Sequence, residues 1–224
     1  MNLNIKTIKN DEEIVEFVAG SINRQLEKGK KVLWFISGGS SIPAEVLIAK
    51  KINEKYSSNL VVTLTDERYG LLGHLDSNWQ KLKTSGFKIR EAKLIPILVG
   101  KDSKTTLEKF KEILKKELDK AEYKIGLFGL GIDGHTAGIL PHSEALKTDE
   151  QVCIYDTELY NRITITEKVI VMLDEVVVYA VDKKKKVMIE NLEKDLSKDD
   201  MPAQILKKVP LLTIFTDYNV YEKK

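Results

Sequence analysis

The chain has 224 residues, of which 42% are hydrophobic and 31% are charged, so it is long enough to bury a large core as one domain. Its 36 basic and 34 acidic residues leave a net charge of +2, which argues against the broad positive field of a nucleic-acid-binding protein. The single cysteine, Cys153, cannot form an internal disulfide and lacks the spaced Cys and His neighbours of a zinc site.

No stretch of the sequence has the uninterrupted apolar character of a signal peptide or a membrane span. The lone cysteine also fits a reducing compartment. We therefore predict a cytoplasmic protein with a single domain over residues 1–224 and with no membrane or nucleic-acid partner. The sequence leaves both a monomer and a small homo-oligomer open.

The chain begins with a predicted helix followed by a predicted buried strand. Asn10 or Asp11 can cap the helix, and Gly29 can end it. Apolar residues recur on this helix at every fourth position: Ile14, Val18, Ile22 and Leu26. The apolar run Val32–Ile36 then predicts a central strand, in which Trp34 is expected to pack in the core.

A loop of small residues connects this strand to a second helix, which Pro43 opens and which is expected to extend toward Lys55. Its members are Ser37, Gly38, Gly39, Ser40 and Ser41, and we call them the serine loop. A strand-to-helix turn offers unpaired backbone N–H groups and the positive end of a helix dipole. The serine loop therefore predicts a phosphate site, with a plain serine-glycine turn as the alternative. It lacks the lysine and hydroxyl spacing of a P-loop.

The next predicted strand, residues 60–65, ends directly at the charged triplet Asp66–Arg68. Charges that follow a buried strand so closely indicate a functional site, although a salt bridge at the sheet edge is the alternative. Residues 70–86 are expected to form a loop and a short helix that contains Asn78, with His74 exposed.

A short edge strand is predicted over residues 94–97, because Pro96 has no N–H group to donate to a neighbouring strand. Asp102 or Ser103 can cap the helix that follows. Its expected buried stripe is Leu107, Phe110, Leu114 and Leu118.

The stretch from Gly126 to Ser143 is the predicted reaction centre. Residues 123–128 are an apolar run typical of a buried strand, and three glycines follow: Gly129, Gly131 and Gly134. Asp133 and His135 lie two residues apart, a spacing that allows the carboxylate to fix the tautomer of the imidazole for acid-base chemistry. A glycine-rich turn whose histidine only bonds the backbone is the alternative.

The same glycines match the dinucleotide-binding fingerprint, which we reject here. That fingerprint needs a helix of several turns after its last glycine, whereas Pro141 cuts the following segment short. Asp133 would also place a negative charge beside the pyrophosphate.

Three more strands are predicted over residues 162–166, 175–181 and 211–215, with a helix starting at the lysine run Lys183–Lys186. Alternating strands and helices predict an α/β fold: a three-layer α/β/α domain with a mainly parallel, Rossmann-like sheet. Ligands bind beyond the carboxyl ends of such strands. We therefore expect the loops at Ser37, Asp66 and Gly129 to meet at one edge.

Several of these motifs resemble those of the 6-phosphogluconolactonases and, more loosely, the glucosamine-6-phosphate deaminases. The motifs in chain order are the serine loop, Asp66-Glu67-Arg68, Ser77-Asn78, Asp133-Gly134-His135-Thr136-Ala137, Arg162-Ile163-Thr164-Ile165-Thr166 and Pro202-Ala203. The resemblance covers nearly the whole chain. Ile42 and Gly138 depart from the family pattern.

The resemblance implies hydrolysis of 6-phosphogluconolactone to 6-phosphogluconate, a step of the pentose phosphate pathway, without metal or organic cofactor. It implies that His135 is the general base, Asp133 orients it, and Arg68 steadies an oxyanion or orders a facing loop. The remaining residues implied to bind the sugar phosphate are the five of the serine loop, Asp66, Asn78, Gly134, Arg162 and Lys184. In the family, a lysine at the start of this helix contacts phosphate, and counting back from Val187 matches it to Lys184.

Two rival functions remain. The deaminases carry a glutamate just before the proline of their D-G-H motif, where this chain has Leu140, and they lack the arginine of Asp66–Arg68. A leucine cannot do acid-base work. The second rival is a regulator that binds a sugar phosphate without turnover, although Asp133 and His135 favour catalysis.

Overall fold

The computed structural model describes residues 2–219. Its strands are β1 (Asn2–Thr7), β2 (Val32–Ile36), β3 (Leu60–Leu64), β4 (Asp66–Arg68), β5 (Lys93–Ile95), β6 (Tyr123–Gly129), β7 (Val152–Asp156), β8 (Asn161–Ile165), β9 (Glu175–Tyr179) and β10 (Leu211–Thr216). Its α-helices are α1 (Glu12–Glu27), α2 (Ile42–Lys51), α3 (Asn78–Thr84), α4 (Ser103–Lys120), α5 (Glu167–Ile170) and α6 (Lys186–Leu192).

The main sheet is parallel throughout and has the strand order β1-β10-β9-β6-β2-β3-β5. Every residue of β2 and β9 is buried, as expected when helices cover both faces of a sheet. This confirms the predicted α/β fold with a mainly parallel sheet. Strand β2 lies between β6 and β3, and Ile36 pairs with Leu127 on one side and with Leu64 on the other. The carboxyl ends of the three strands therefore lie side by side.

A second sheet of three antiparallel strands has the order β4-β8-β7. The strand predicted over residues 162–166 is observed as β8, but it lies in this second sheet and not in the main one. Asp66–Arg68, predicted as a loop, forms a strand. The register pairs Asp66 with Thr164 and Arg68 with Arg162. These strands have three and five residues, too few for periodicity to reveal a partner about a hundred residues away.

The helix predictions hold with two differences. Asn10 accepts the N–H of Glu12 at the start of α1, and Asp102 caps α4 through the N–H of Thr105. Helix α2 ends at Lys51, short of the predicted end near Lys55, because Ile52 is extended. Leu107, expected in the buried stripe of α4, is only partly buried.

Strand β5 lies at the edge of the main sheet, as Pro96 predicted. Trp34 is fully buried, which confirms its packing role.

Within residues 2–219, no helix combines the length and the apolar character that crossing a membrane requires. The predicted domain limits, residues 1 and 224, lie outside the described residues, and the single domain stays a prediction.

Candidate active site

A cavity of about 250 Å³ lies at the carboxyl ends of β2, β3 and β6, and we call it the site cavity. Its lining residues are Ser37, Gly38, Gly39, Ser40, Asp66, Arg68, Asn78, Gly129, Leu130, Gly131, Ile132, His135, Ala137, Arg162 and Lys185. The three loops expected at one sheet edge thus do share one site. Of the predicted site residues, the lining lacks Ser41, Asp133, Gly134 and Lys184.

Asp133 and His135 form a hydrogen-bonded pair, which we call the dyad. Oδ1 of Asp133 lies 2.6 Å from Nδ1 of His135 and also accepts the backbone N–H of His135 at 3.1 Å. The hydrogen bond from the imidazole lowers the pKa of Asp133 to about 2, against the opposing effect of partial burial. The carboxyl group is therefore ionised at neutral pH. Among the described residues, Nε2 of His135 has no hydrogen-bond partner, so it is free to accept a proton.

The turn after β6 is shaped to hold the dyad. The N–H of Gly131 donates to the carbonyl of His135 at 2.9 Å, which closes the turn. A Cβ added at Gly131 would overlap Nδ1 of His135 and lie 2.5 Å from Oδ1 of Asp133, so only glycine fits this close approach. Gly134 lies against Met201, outside the lining. No helix follows within residues 135–143, which agrees with rejecting the dinucleotide fingerprint.

The serine loop differs from its prediction in one important respect. Two of its backbone N–H groups, predicted to be unpaired, donate to Oε1 of Glu45 in α2, from Ser37 at 2.9 Å and from Gly38 at 3.1 Å. The hydroxyl of Ser41 is buried beneath the loop, 2.9 Å from the same oxygen and 2.7 Å from the carbonyl of Gly38, so its one proton is shared between these two acceptors. Only the outer part of the loop, around Gly39 and Ser40, is therefore free to face a ligand.

Asn78 ties the ends of two strands together. Its amide nitrogen donates to the carbonyls of Ser37 at 3.3 Å and of Asp66 at 3.2 Å. Glu67 fixes the start of α3 below it, since its fully buried carboxylate accepts three backbone N–H groups and the hydroxyl of Ser77. Burial raises the pKa of Glu67, and these hydrogen bonds oppose that rise. The Asp-Glu-Arg and Ser-Asn motifs are thus parts of one rigid support.

Two arginines lie opposite each other on β4 and β8. Nη1 of Arg162 forms a salt bridge of 3.1 Å with Asp66, and both side chains are largely buried. Nη1 of Arg68 donates to the carbonyl of Asp76 at 2.9 Å. Within the described residues, the buried Nε atoms of both arginines have no acceptor. Unsatisfied donors of this kind are costly unless water or a ligand pairs with them.

Lys185 lines the site cavity, whereas Lys184, the lysine predicted to bind phosphate, does not. Asp182 starts a 3-10 turn over Lys183–Lys185, which directs the third lysine inward while Lys184 stays exposed. Lys185 is only 9% exposed, and burial lowers the pKa of its ammonium group. It forms no salt bridge within residues 2–219, although Asp182 and Asp217 oppose the pKa shift from a distance. A buried, unpaired cation favours an anionic ligand.

His74 is half-buried, contrary to its predicted exposure, and its Nε2 lies 3.0 Å from the carbonyl of Arg68. The sequence also missed Glu45, which lies in the first turn of α2. The spacing could have indicated it, because a glutamate four residues after Ser41 can reach back to the start of the helix.

Among residues 2–219, no cluster of three or more His, Cys, Asp or Glu side chains is placed to bind a metal.

The fold and the site together define an α/β protein with a histidine-aspartate dyad beside a cavity that three cationic side chains line. Residues 9–213 match the model of the family of glucosamine-6-phosphate isomerases and 6-phosphogluconolactonases. The chain belongs to this family, which confirms the resemblance of its motifs.

Three comparisons describe the likeness. A probable 6-phosphogluconolactonase of Dictyostelium discoideum is 27% identical over 172 residues, which are 69% of this chain and 70% of the relative. The structure of 6-phosphogluconolactonase from Thermotoga maritima has a TM-score of 0.79 at 19% identity and covers 96% of this chain and 99% of that chain. A monomeric glucosamine-6-phosphate deaminase also has a TM-score of 0.79, at 17% identity, and covers 97% and 98% respectively. The fold is therefore common to both activities.

Proposed function

We propose that this protein hydrolyses 6-phospho-D-glucono-1,5-lactone to 6-phosphogluconate. The observation that carries the proposal is that His135 of the dyad lines the same cavity as three cations, Arg68, Arg162 and Lys185. A base and a set of cations in one cavity suit a substrate with a reactive carbonyl at one end and a phosphate at the other. The Dictyostelium relative, named a probable 6-phosphogluconolactonase, supports this choice of substrate.

The phosphate binds between the outer serine loop, Arg162 and Lys185. Lys185 is buried without a salt-bridge partner, and Nε of Arg162 lacks an acceptor within the described residues, so a phosphate dianion would satisfy both. Charge-assisted hydrogen bonds of this kind are about twice as strong as neutral ones. Asp66 forms a salt bridge with Arg162 and so holds the guanidinium at the cavity.

His135 acts as the general base through Nε2, the ring nitrogen that the dyad leaves free. It takes a proton from water as the water oxygen attacks the lactone carbonyl, and the carbonyl electrons move onto the oxygen. When the intermediate collapses, the bond to the ring oxygen breaks, and the imidazolium returns its proton to that oxygen. The ionised Asp133 stabilises the imidazolium between these two steps.

The contacts of Arg68 fit two roles at the other side of the cavity. Its free Nε can donate to the developing oxyanion. Its Nη1 donates to the carbonyl of Asp76 and so orders the loop between β4 and α3. In the first role Arg68 acts on the reacting part of the substrate, and in the second it acts on the loop.

A deaminase function is the less favoured alternative. Leu140 stands where the deaminase motif has its glutamate, and it lies outside the lining of the site cavity. The dyad alone lacks the second acid-base group that ring opening and amine release require.

The test is to generate the lactone in situ and to follow acid release against spontaneous hydrolysis. We expect turnover well above the background, inhibition by 6-phosphogluconate, and poor turnover of the lactone without phosphate. Glucosamine 6-phosphate, offered in a parallel assay, should release no ammonia. A lactone rate equal to the background would remove the proposal, and ammonia release would favour the deaminase.

A further inference from the structure

Glu45 is a buried acid that the proposed chemistry does not use. Its residue exposure is 0%, and its Oε1 accepts four hydrogen bonds, all of them from the serine loop. The donors are the N–H of Ser37, the N–H of Gly38 and the hydroxyls of Ser37 and Ser41. Its second oxygen, Oε2, is buried and has no partner within residues 2–219. The inner half of the predicted phosphate loop thus binds a carboxyl group of the protein itself.

The arrangement fixes the shape of the loop. Gly38 has a φ of +74°, and a Cβ at this position would lie 2.9 Å from Cγ of Asn78. With Ser37 and Gly38 bonded inward to Glu45 and Asn78 packed against the loop, the next residues, Gly39 and Ser40, turn outward and line the site cavity. Glu45 therefore supports the loop from the side opposite the ligand.

We infer that Glu45 is a positioning residue of the serine loop and that its charge opposes the binding of a phosphate dianion on the other face of that loop. The inference rests on the proposed function, because it assigns the dianion to this loop. Its chemical basis is that two negative groups on opposite sides of one short loop repel each other through a poorly solvated region. A protonated Glu45 keeps the hydrogen bonds to its carbonyl oxygen and removes the repulsion.

Burial raises the pKa of Glu45 to about 7, although the four hydrogen bonds from the loop oppose the rise. The group thus titrates in the range where the enzyme would work. Binding of a dianion then requires Glu45 to take up a proton when the pH is above about 7. The phosphate affinity should therefore fall as the pH rises through this value.

The effect of other charged groups near the loop on sulfate binding must be distinguished from the effect of Glu45. Those that line the site cavity with the loop are Asp66, Arg68, His135, Arg162 and Lys185. From α1, Glu12 and Glu16 pair with Lys51 at the distant end of α2. Among residues 2–219, no charged side chain forms a hydrogen bond or a salt bridge with Glu45. A comparison of wild type with Glu45→Gln cancels the titration of all the other groups.

Sulfate is the probe, because it remains a dianion across the pH range. Calorimetry should show that wild type loses about tenfold more sulfate affinity between pH 6 and pH 8 than Glu45→Gln does, the loss expected for uptake of one proton at pH 7. Glu117→Gln is the matched control, since Glu117 is also buried but pairs with Lys93 at a distance from the site. This control should behave as wild type.

A second readout needs no ligand. The folded-state pKa of Glu45 lies above its ordinary value of 4.5, so its contribution to stability is fully present below pH 4.5 and is lost as the pH rises toward 7. The unfolding midpoint of wild type, relative to Glu45→Gln, should decline over this window and stay constant above it. If Glu45→Gln does not fold, Ser41→Ala replaces it. Loss of a hydrogen-bond donor to the carboxylate should raise the pKa of Glu45, so the pH at which the sulfate affinity begins to fall should be higher in this variant.

Equal pH dependence of sulfate binding in wild type and Glu45→Gln, or a fall that begins at the same pH in Ser41→Ala as in wild type, would overturn the inference and leave the proposed function intact. Failure of wild type to bind sulfate or 6-phosphogluconate at any pH would overturn both. The two outcomes are distinguished by whether wild type binds sulfate or 6-phosphogluconate at all.

Discussion

The two ends of the site cavity are built in opposite ways. At the dyad, the side chains of His135 and Asp133 are 36% and 47% exposed, and Nε2 of the imidazole is free. At the serine loop, Glu45, Ser41 and Asn78 are buried and cross-linked by hydrogen bonds from three elements. The difference teaches that the two ends suit different tasks under the proposed function: the open end can admit water, and the rigid end can hold a phosphate. Substitutions at the two ends should therefore affect different kinetic parameters.

The largest expected effect is that of His135→Asn at the open end. Asparagine has a similar size but cannot act as the base, so kcat should fall by about two to four decades while KM changes little. Steady-state kinetics of lactone hydrolysis, corrected for the spontaneous reaction, measure this. Full kcat in the variant would mean that another group is the base; Asp66, which lines the site cavity, is then the next candidate, whereas the predicted alternative Glu67 is buried outside the lining.

Gly131→Ala tests whether kcat depends on the geometry of the dyad at the open end. The added Cβ would meet both members of the dyad and displace the imidazole, and a displacement of about 1 Å can cost about two decades in kcat. Gly129→Ala is the matched comparison, because a Cβ there meets nothing within 4 Å. Its effect should be much smaller, and equal losses in the two variants would contradict the steric explanation.

At the rigid end, Lys185→Ala should raise KM and leave kcat nearly constant. Loss of one hydrogen bond to a charged group costs about 1.5 to 3 kcal/mol, which corresponds to about one to two decades in affinity. Lys184→Ala is the matched control, because this neighbouring lysine is exposed and lies outside the lining. A larger effect at Lys184 than at Lys185 would reverse the assignment made from the structure.

The smallest expected effect concerns the stability that the dyad contributes. The folded-state pKa of Asp133 is lowered to about 2 by the hydrogen bond from His135, so its stabilising effect is present above the ordinary carboxyl pKa and is lost as the pH falls toward 2. Because the pair is half exposed, solvent screening limits the effect to below about 1 kcal/mol. Urea unfolding of wild type and Asp133→Asn at pH 7 and pH 3 measures it. The stability difference should shrink at the lower pH, and a constant difference would speak against a charge effect.

The parts of the site that the sequence predicted are those encoded by local patterns. The dyad is two residues apart in a glycine turn, and the serine loop directly follows a strand of continuous apolar residues. Both signals depend only on neighbouring residues, so they survive without knowledge of the tertiary structure. The same holds for the parallel sheet, whose strands alternate with periodic helices.

The parts that the sequence missed depend on contacts between distant segments. Arg68 and Arg162 face each other only because β4 and β8 pair, and the short strands carry no pattern that indicates this pairing. Four consecutive lysines are chemically identical, so the 3-10 turn that directs Lys185 inward could not be read from them. Glu45 belongs to no motif of the sequence, and its role depends on contacts with the folded loop above it.

The most direct test of the division between the two ends is the affinity of two variants for 6-phosphogluconate, the product of the proposed reaction. Calorimetry compares His135→Asn and Lys185→Ala with wild type at one pH. We expect His135→Asn to bind the product with nearly the wild-type affinity and Lys185→Ala to bind it about one to two decades more weakly. Equal loss of affinity in both variants would contradict the separation of chemistry from phosphate recognition.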